Sequence, residues 1–68
     1  MKLKNNLKKL RFAANQITQE DLAKALNVSR QTINSIENER FNPSVFLALQ
    51  IAKFFNKKVD EIFFLEEK

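Results

Sequence analysis

Thr18-Gln19-Glu20-Asp21-Leu22-Ala23-Lys24-Ala25-Leu26-Asn27-Val28-Ser29-Arg30-Gln31-Thr32-Ile33-Asn34-Ser35-Ile36-Glu37 is the stretch on which the fold of this chain turns. It carries two amphipathic helical periods, Gln19–Leu26 and Arg30–Glu37, separated only by Asn27-Val28-Ser29. Thr18 is a fitting N-cap for the first period, and Asp21 at the third helical position makes a variant of the capping box; Ser29 precedes the second. A connection that short forces two helices to cross steeply, the helix-turn-helix arrangement. Ala23 is small where the second helix must approach, and Leu22, Leu26, Val28, Ile33 and Ile36 supply a shared apolar face. Arg30, Gln31, Asn34 and Ser35 project away from that face. An ordinary helical hairpin accounts for the apolar spacing. It does not account for so many side chains suited to base edges at the start of one helix.

Outward from this pair, Leu7, Leu10, Ala13 and Ala14 share one face of a helix over about 6–14, with Asn5 as its cap. Downstream, Ser44 after Pro43 caps a helix over 45–55, and a short fifth helix covers about 59–63. Glycine is absent, so asparagine does the punctuation, and Asn27, Asn38 and Asn56 are expected helix ends with left-handed backbone. Residues 64–68 form a tail that reads as a strand, pairing with Lys2-Leu3-Lys4, or as a dimer contact.

A chain of 68 residues makes one small domain, and its 44% hydrophobic share with seven Phe argues for a folded core. With no Cys and no His, thiolate metal sites, redox chemistry and the commonest general base are all excluded. The lack of Gly removes any Gly-rich phosphate loop, so enzyme chemistry is close to excluded and no cofactor or metal is expected. A net charge of +4 on so small a body attracts a polyanion, although it also serves plain solubility. No apolar run approaches a membrane span, and the N-terminus lacks a signal-peptide core, so a cytoplasmic, nucleoid-associated protein is expected.

The stretch from Thr18 to Asn38, with Phe41-Asn42-Pro43-Ser44 and Val59-Asp60-Glu61-Ile62-Phe63 downstream, resembles the Cro/C1-type (XRE) helix-turn-helix regulators, and most closely the small stand-alone members similar to the cytolysin repressor. The resemblance covers roughly residues 6–63, with the helix-turn-helix at 18–37. It implies an all-α, five-helix, lambda-repressor-like domain that binds double-stranded DNA, commonly as a two-fold dimer. Carried over residue by residue, it puts Arg30, Gln31 and Ser35 at base-reading positions, with Asn34 a further candidate. Gln19 and Asn38 fall at phosphate-contacting positions, and Arg11 and Glu37 match a pair that commonly forms an internal salt bridge. Independently, Ser29 and Thr32 at a helix N-terminus suit phosphate oxygens, with packing an equal alternative for Thr32. Three departures stand out: Asn27, Glu39 and Asn56 occupy places where the family often has Gly. Glu39 brings an acid near the expected phosphate surface, and the turn Asn15-Gln16-Ile17 is one residue longer than the commonest pattern.

The fourth helix is apolar around well over half its circumference, more than a helix lying on one core needs. With Phe63, Phe64 and Leu65 close behind, this surplus predicts a homodimer through the fourth and fifth helices and the tail, at Phe54, Ile62, Phe63, Phe64 and Leu65. The function expected from all this is a dimeric, sequence-specific transcriptional repressor that reads an inverted-repeat operator through the major groove. No small-molecule ligand is evident. The rival from another class is an antitoxin-like or other protein-interaction module on the same scaffold.

Overall fold

In the computed structural model, which describes residues 1–67, the chain runs β1 (Lys2–Asn5), α1 (Leu7–Ala13), α2 (Gln19–Leu26), α3 (Arg30–Glu37), α4 (Val45–Phe55), α5 (Val59–Ile62) and β2 (Phe63–Glu66). This is the five-helix, all-α architecture with one short strand pairing at the ends. Leu22, Ala23 and Leu26 of α2 meet Ile33 and Ile36 of α3 in a core completed by Leu7, Leu47, Ile51, Ala52, Ile62 and Phe63. Burying a side chain of the Leu or Ile class contributes about 1.5–3 kcal/mol, and here Leu7, Leu22, Ile33, Ile36, Ile51 and Ile62 are fully buried. These contacts fix the angle at which α3 is carried.

Local chemistry sets the helix starts. Asp21 N–H donates to Thr18 Oγ1 at 2.9 Å and Thr18 N–H donates to Asp21 Oδ2 at 3.1 Å, a complete reciprocal box. Ser29 Oγ accepts from Thr32 N–H and Ser44 Oγ from Leu47 N–H, each at 3.1 Å. The first helix begins one residue later than expected. Asn6 N–H is held by Ile62 C=O at 2.9 Å, which keeps Asn6 outside the helix, while Asn5 Oδ1 still accepts from Leu7 N–H at 3.0 Å.

The helix ends correct one expectation. Asn27 and Asn56 are left-handed at φ 59° and 56°, and the next residue closes each end, Val28 N–H to Ala23 C=O and Lys57 N–H to Ala52 C=O. After α3, Asn38 is not left-handed; its φ is −90°. Glu39 takes that conformation at φ 63°, and Arg40 N–H closes on Ser35 C=O at 2.9 Å. The long turn before Thr18 spends its extra residue on two successive left-handed positions, Asn15 (φ 67°) and Gln16 (φ 56°). Ile17 N–H then reaches Arg11 C=O at 3.2 Å, one residue wider than the closures after the other helices.

The chain ends pair antiparallel, with Lys2 opposite Glu66, Leu3 opposite Leu65, Lys4 opposite Phe64 and Asn5 opposite Phe63. Phe63 is therefore extended rather than helical, and Leu3 packs on the core. Lys68, the last residue of the expected tail, lies outside the described residues. Ile62 and Phe63 correct the dimer expectation: both are buried in the chain's own core and offer nothing to a partner. Of the five residues expected at such a contact, Phe54, Phe64 and Leu65 remain exposed. The α4 residues Val45, Phe46 and Leu49 are exposed as well.

Candidate nucleic-acid interface

Opposite its buried stripe of Ile33 and Ile36, α3 turns a polar face outward. Arg30 and Gln31 are exposed in its first turn, Asn34 and Ser35 are half-buried one turn on, and Asn38 is exposed at its end. Arginine and the amide side chains are the groups that match purine edges bidentately, so this face carries the chemistry for reading a groove. Beside it lies an open cleft of about 470 Å³ bounded by Ser29, Gln31, Thr32, Ser35, Arg40 and Phe41. Ser29 Oγ and Thr32 Oγ1 lie 2.8 Å apart at the rim, so Thr32 is half-buried yet polar in its contacts.

Beneath this face a chain of polar contacts joins three helices. Arg11 Nε and a terminal guanidinium nitrogen donate to the two Glu37 carboxylate oxygens at 2.6 and 3.0 Å, and the other terminal nitrogen donates to Ile17 C=O at 2.9 Å. The two side chains are 7% and 4% exposed, so water screens the pair little. Gln19 Nε2 donates to Glu37 Oε1 at 3.0 Å, while its Oε1 accepts from Asn34 Nδ2 at 3.4 Å. Asn38 Nδ2 donates to Asn34 C=O and Oδ1 at 3.0 and 3.2 Å. Gln19 and Asn34 are thus not free side chains: each is oriented by its neighbour. Arg11 also lies over the Phe12 ring at 5.4 Å.

Two further contacts reach this region from outside the helix-turn-helix and had no signal in the sequence. Asn5 Nδ2 donates to Ile36 C=O at 2.9 Å, tying the β1–α1 junction to the last turn of α3. Glu39 accepts ion pairs from Lys4 at 3.2 Å and Lys2 at 3.3 Å. The Lys4 hydrogen bond, followed by that of Lys2, holds the Glu39 carboxyl below the usual carboxylate range. The Thr18 backbone N–H and then its hydroxyl do the same for Asp21. Among the described residues no group of His, Cys, Asp and Glu is placed to hold a metal ion, and no helix is long and apolar enough to cross a membrane.

A short, left-handed turn between α2 and α3, a shared apolar core and an outward polar face on α3 define a helix-turn-helix domain. Residues 7–62 match the family described as helix-turn-helix, and the chain belongs to that family in its Cro/C1-type (XRE) form. The chain is 54% identical over 65 residues to an uncharacterized HTH-type transcriptional regulator of Methanocaldococcus jannaschii, covering 96% of this chain and 97% of that one. Against the HTH-type transcriptional regulator YgzD of Bacillus subtilis it is 42% identical over 66 residues, 97% and 98% of the two chains. A third such protein, from Archaeoglobus fulgidus, is 41% identical over 66 residues, 97% of this chain and 92% of that one. The family is one of DNA-binding domains and not of enzymes.

Proposed function

We propose that this chain is a sequence-specific regulator of transcription, a repressor that seats α3 in the major groove of duplex DNA. The observation that carries the reading is the division of α3 into a buried apolar stripe and an outward face of Arg30, Gln31, Asn34 and Ser35. Arg30 and Gln31 contact base edges, Arg to guanine and Gln to adenine. Asn34 and Ser35 follow one turn deeper. Gln19, Ser29, Thr32 and Asn38 face backbone phosphates and set the register. The Arg11–Glu37 pair holds Gln19, and through it Asn34, ready for the groove.

The working unit is a two-fold homodimer whose contact draws on Phe54, Phe64 and Leu65, with residues 6–63 as the DNA-binding domain and the tail as dimer contact. Its operator is an inverted repeat with half-site centres about 10 to 10.5 base pairs apart, or a multiple of that. It acts where the chromosome lies, in the cytoplasm.

The test is selection of bound duplexes from a random pool, followed by wild type and Arg30→Ala on the selected site and on scrambled DNA at matched ionic strength. Arg30→Ala should lose about 1–3 kcal/mol on the selected site and relax one position per half-site. Equal losses on both DNAs would remove Arg30 from base reading. Binding that is weak, sequence-blind and lost at moderate salt would favour a protein-interaction module instead.

A further inference from the structure

Glu39 departs from the way α2 and α4 end. After α2 and α4 the left-handed residue is Asn; after α3 it is Glu39, at φ 63°. Asn enters this region more easily than Glu, because its short polar side chain bonds locally to the backbone. The C-terminal end of a helix also repels an acid, through the negative pole of its dipole. Neither backbone nor helix field recommends a carboxylate here.

What the carboxylate does is hold two lysines. Lys4 Nζ lies 3.2 Å and Lys2 Nζ 3.3 Å from its oxygens, and a phosphate oxygen is an anionic acceptor of the same kind. The Glu39 side chain is 19% exposed, while those of Lys4 and Lys2 are 34% and 62% exposed, so both ammonium groups remain open to a second anion. The neighbour Arg40 lines the cleft beside Gln31 and Ser35. Two lysines held by one acid, with Arg40 next to it in the chain, therefore lie just past the end of the helix whose outward face is proposed to dock on DNA.

We propose that Glu39 is a built-in stand-in for a DNA phosphate. It holds Lys2 and Lys4 in the free protein, and a backbone phosphate displaces it when α3 enters the groove. This rests on the duplex-DNA reading above and adds β1, outside the helix-turn-helix, to the interface. One anion replaces another around the lysines, so the exchange yields little net energy on random DNA. Two unheld lysines would instead add to binding at every sequence. Glu39 thus limits sequence-blind binding by a chain of net charge +4.

The experiment measures fluorescence anisotropy of the selected operator and a scrambled duplex from 50 to 200 mM salt. It compares wild type, Glu39→Gln, Glu39→Asn, Lys2→Gln/Lys4→Gln and the triple variant with Glu39→Gln. Glu39→Gln should tighten both duplexes by a similar factor at every salt and leave the log–log slope unchanged, since the same phosphate already takes the lysines, and releases its counterion, in the wild-type complex. Glu39→Asn, which suits the backbone better, should behave alike. In the lysine-free background the tightening should disappear. An unchanged affinity for Glu39→Gln overturns the proposal, and so does a slope steeper by about 0.9, which would mean that Glu39 keeps the lysines in the wild-type complex and no phosphate displaces it. So does equal tightening without the lysines, which would make Glu39 only a repelling charge, or wild-type affinity for Glu39→Asn, which would point to conformation. No duplex binding by wild type at any salt would remove the DNA reading, and the proposal with it.

Discussion

Replacing Arg11 with Met probes whether the α3 face is held from beneath. The substitution keeps the side chain's length while removing the charge that faces Glu37, whose side chain is only 4% exposed. Removing one partner of a buried ion pair costs about 3–5 kcal/mol, because the survivor is left uncompensated. Arg11 also donates to Ile17 C=O, and losing that bond adds about 1 kcal/mol. A chain of 68 residues has roughly 3–10 kcal/mol of total stability, so Arg11→Met should remove a large share of it. Urea titration followed by circular dichroism at 222 nm measures this. The partner variant Arg11→Met/Glu37→Leu removes both charges and should recover most of the loss, since an apolar pair of similar volume carries no stranded ion. A loss under about 1 kcal/mol in the single variant would refute the reasoning, because a pair this dry is not a surface pair. A double variant no more stable than the single one would refute it equally.

Asn5→Ala removes both the donor to Ile36 C=O and the acceptor for Leu7 N–H, and should cost about 1–3 kcal/mol by the same titration. Gln16→Gly relieves a left-handed side-chain residue at φ 56° and should raise stability by about 0.5–1 kcal/mol, read as a higher urea midpoint. Because the folded-state pKa of Asp21 lies below its unfolded value, its contribution is present above about pH 4 and is lost as acid protonates the folded carboxylate. Between pH 6 and pH 3, melting temperature should therefore fall further in wild type than in Asp21→Ala.

The helix-turn-helix was legible because its determinants are local. Thr18, Asp21, Ala23, Asn27 and Ser29 act within a few residues of one another, and the structure places α2 and α3 at Gln19–Leu26 and Arg30–Glu37 as their periods require. The strand pairing was open because Lys2-Leu3-Lys4 and Phe64-Leu65-Glu66 are too short to carry a strand period of their own; each becomes a strand only opposite the other. Ile62 and Phe63 looked like surplus for the same reason. Nothing near them in sequence shows that Leu7 and Ile51 share the core that buries them. The polar residues of α3 were readable as an outward face, but the grip of Gln19 on Asn34 and of Glu39 on the first strand depends on how separate elements cross. Asn38 was misread as the left-handed residue because Asn is the better candidate by side chain. The helix ends at Glu37 as expected, but Asn38 takes φ −90° and the left-handed turn falls one position later, on Glu39.

The antiparallel pairing of β1 with β2 also bears on how the protein reaches this structure. Asn5 meets Phe63 and Lys2 meets Glu66 across nearly the whole chain, whereas α2 and α3 meet across three residues. Closing a loop of that length before the helices dock costs more entropy than closing the short turn between α2 and α3, so the two ends are expected to join late and to separate early. Amide hydrogen exchange should then find the pairing opening without global unfolding, while Leu22 and Ile33 exchange only with the whole domain. Since Asn5 links that pairing to the final turn of α3, each brief parting of the ends would loosen the end of the helix that faces outward.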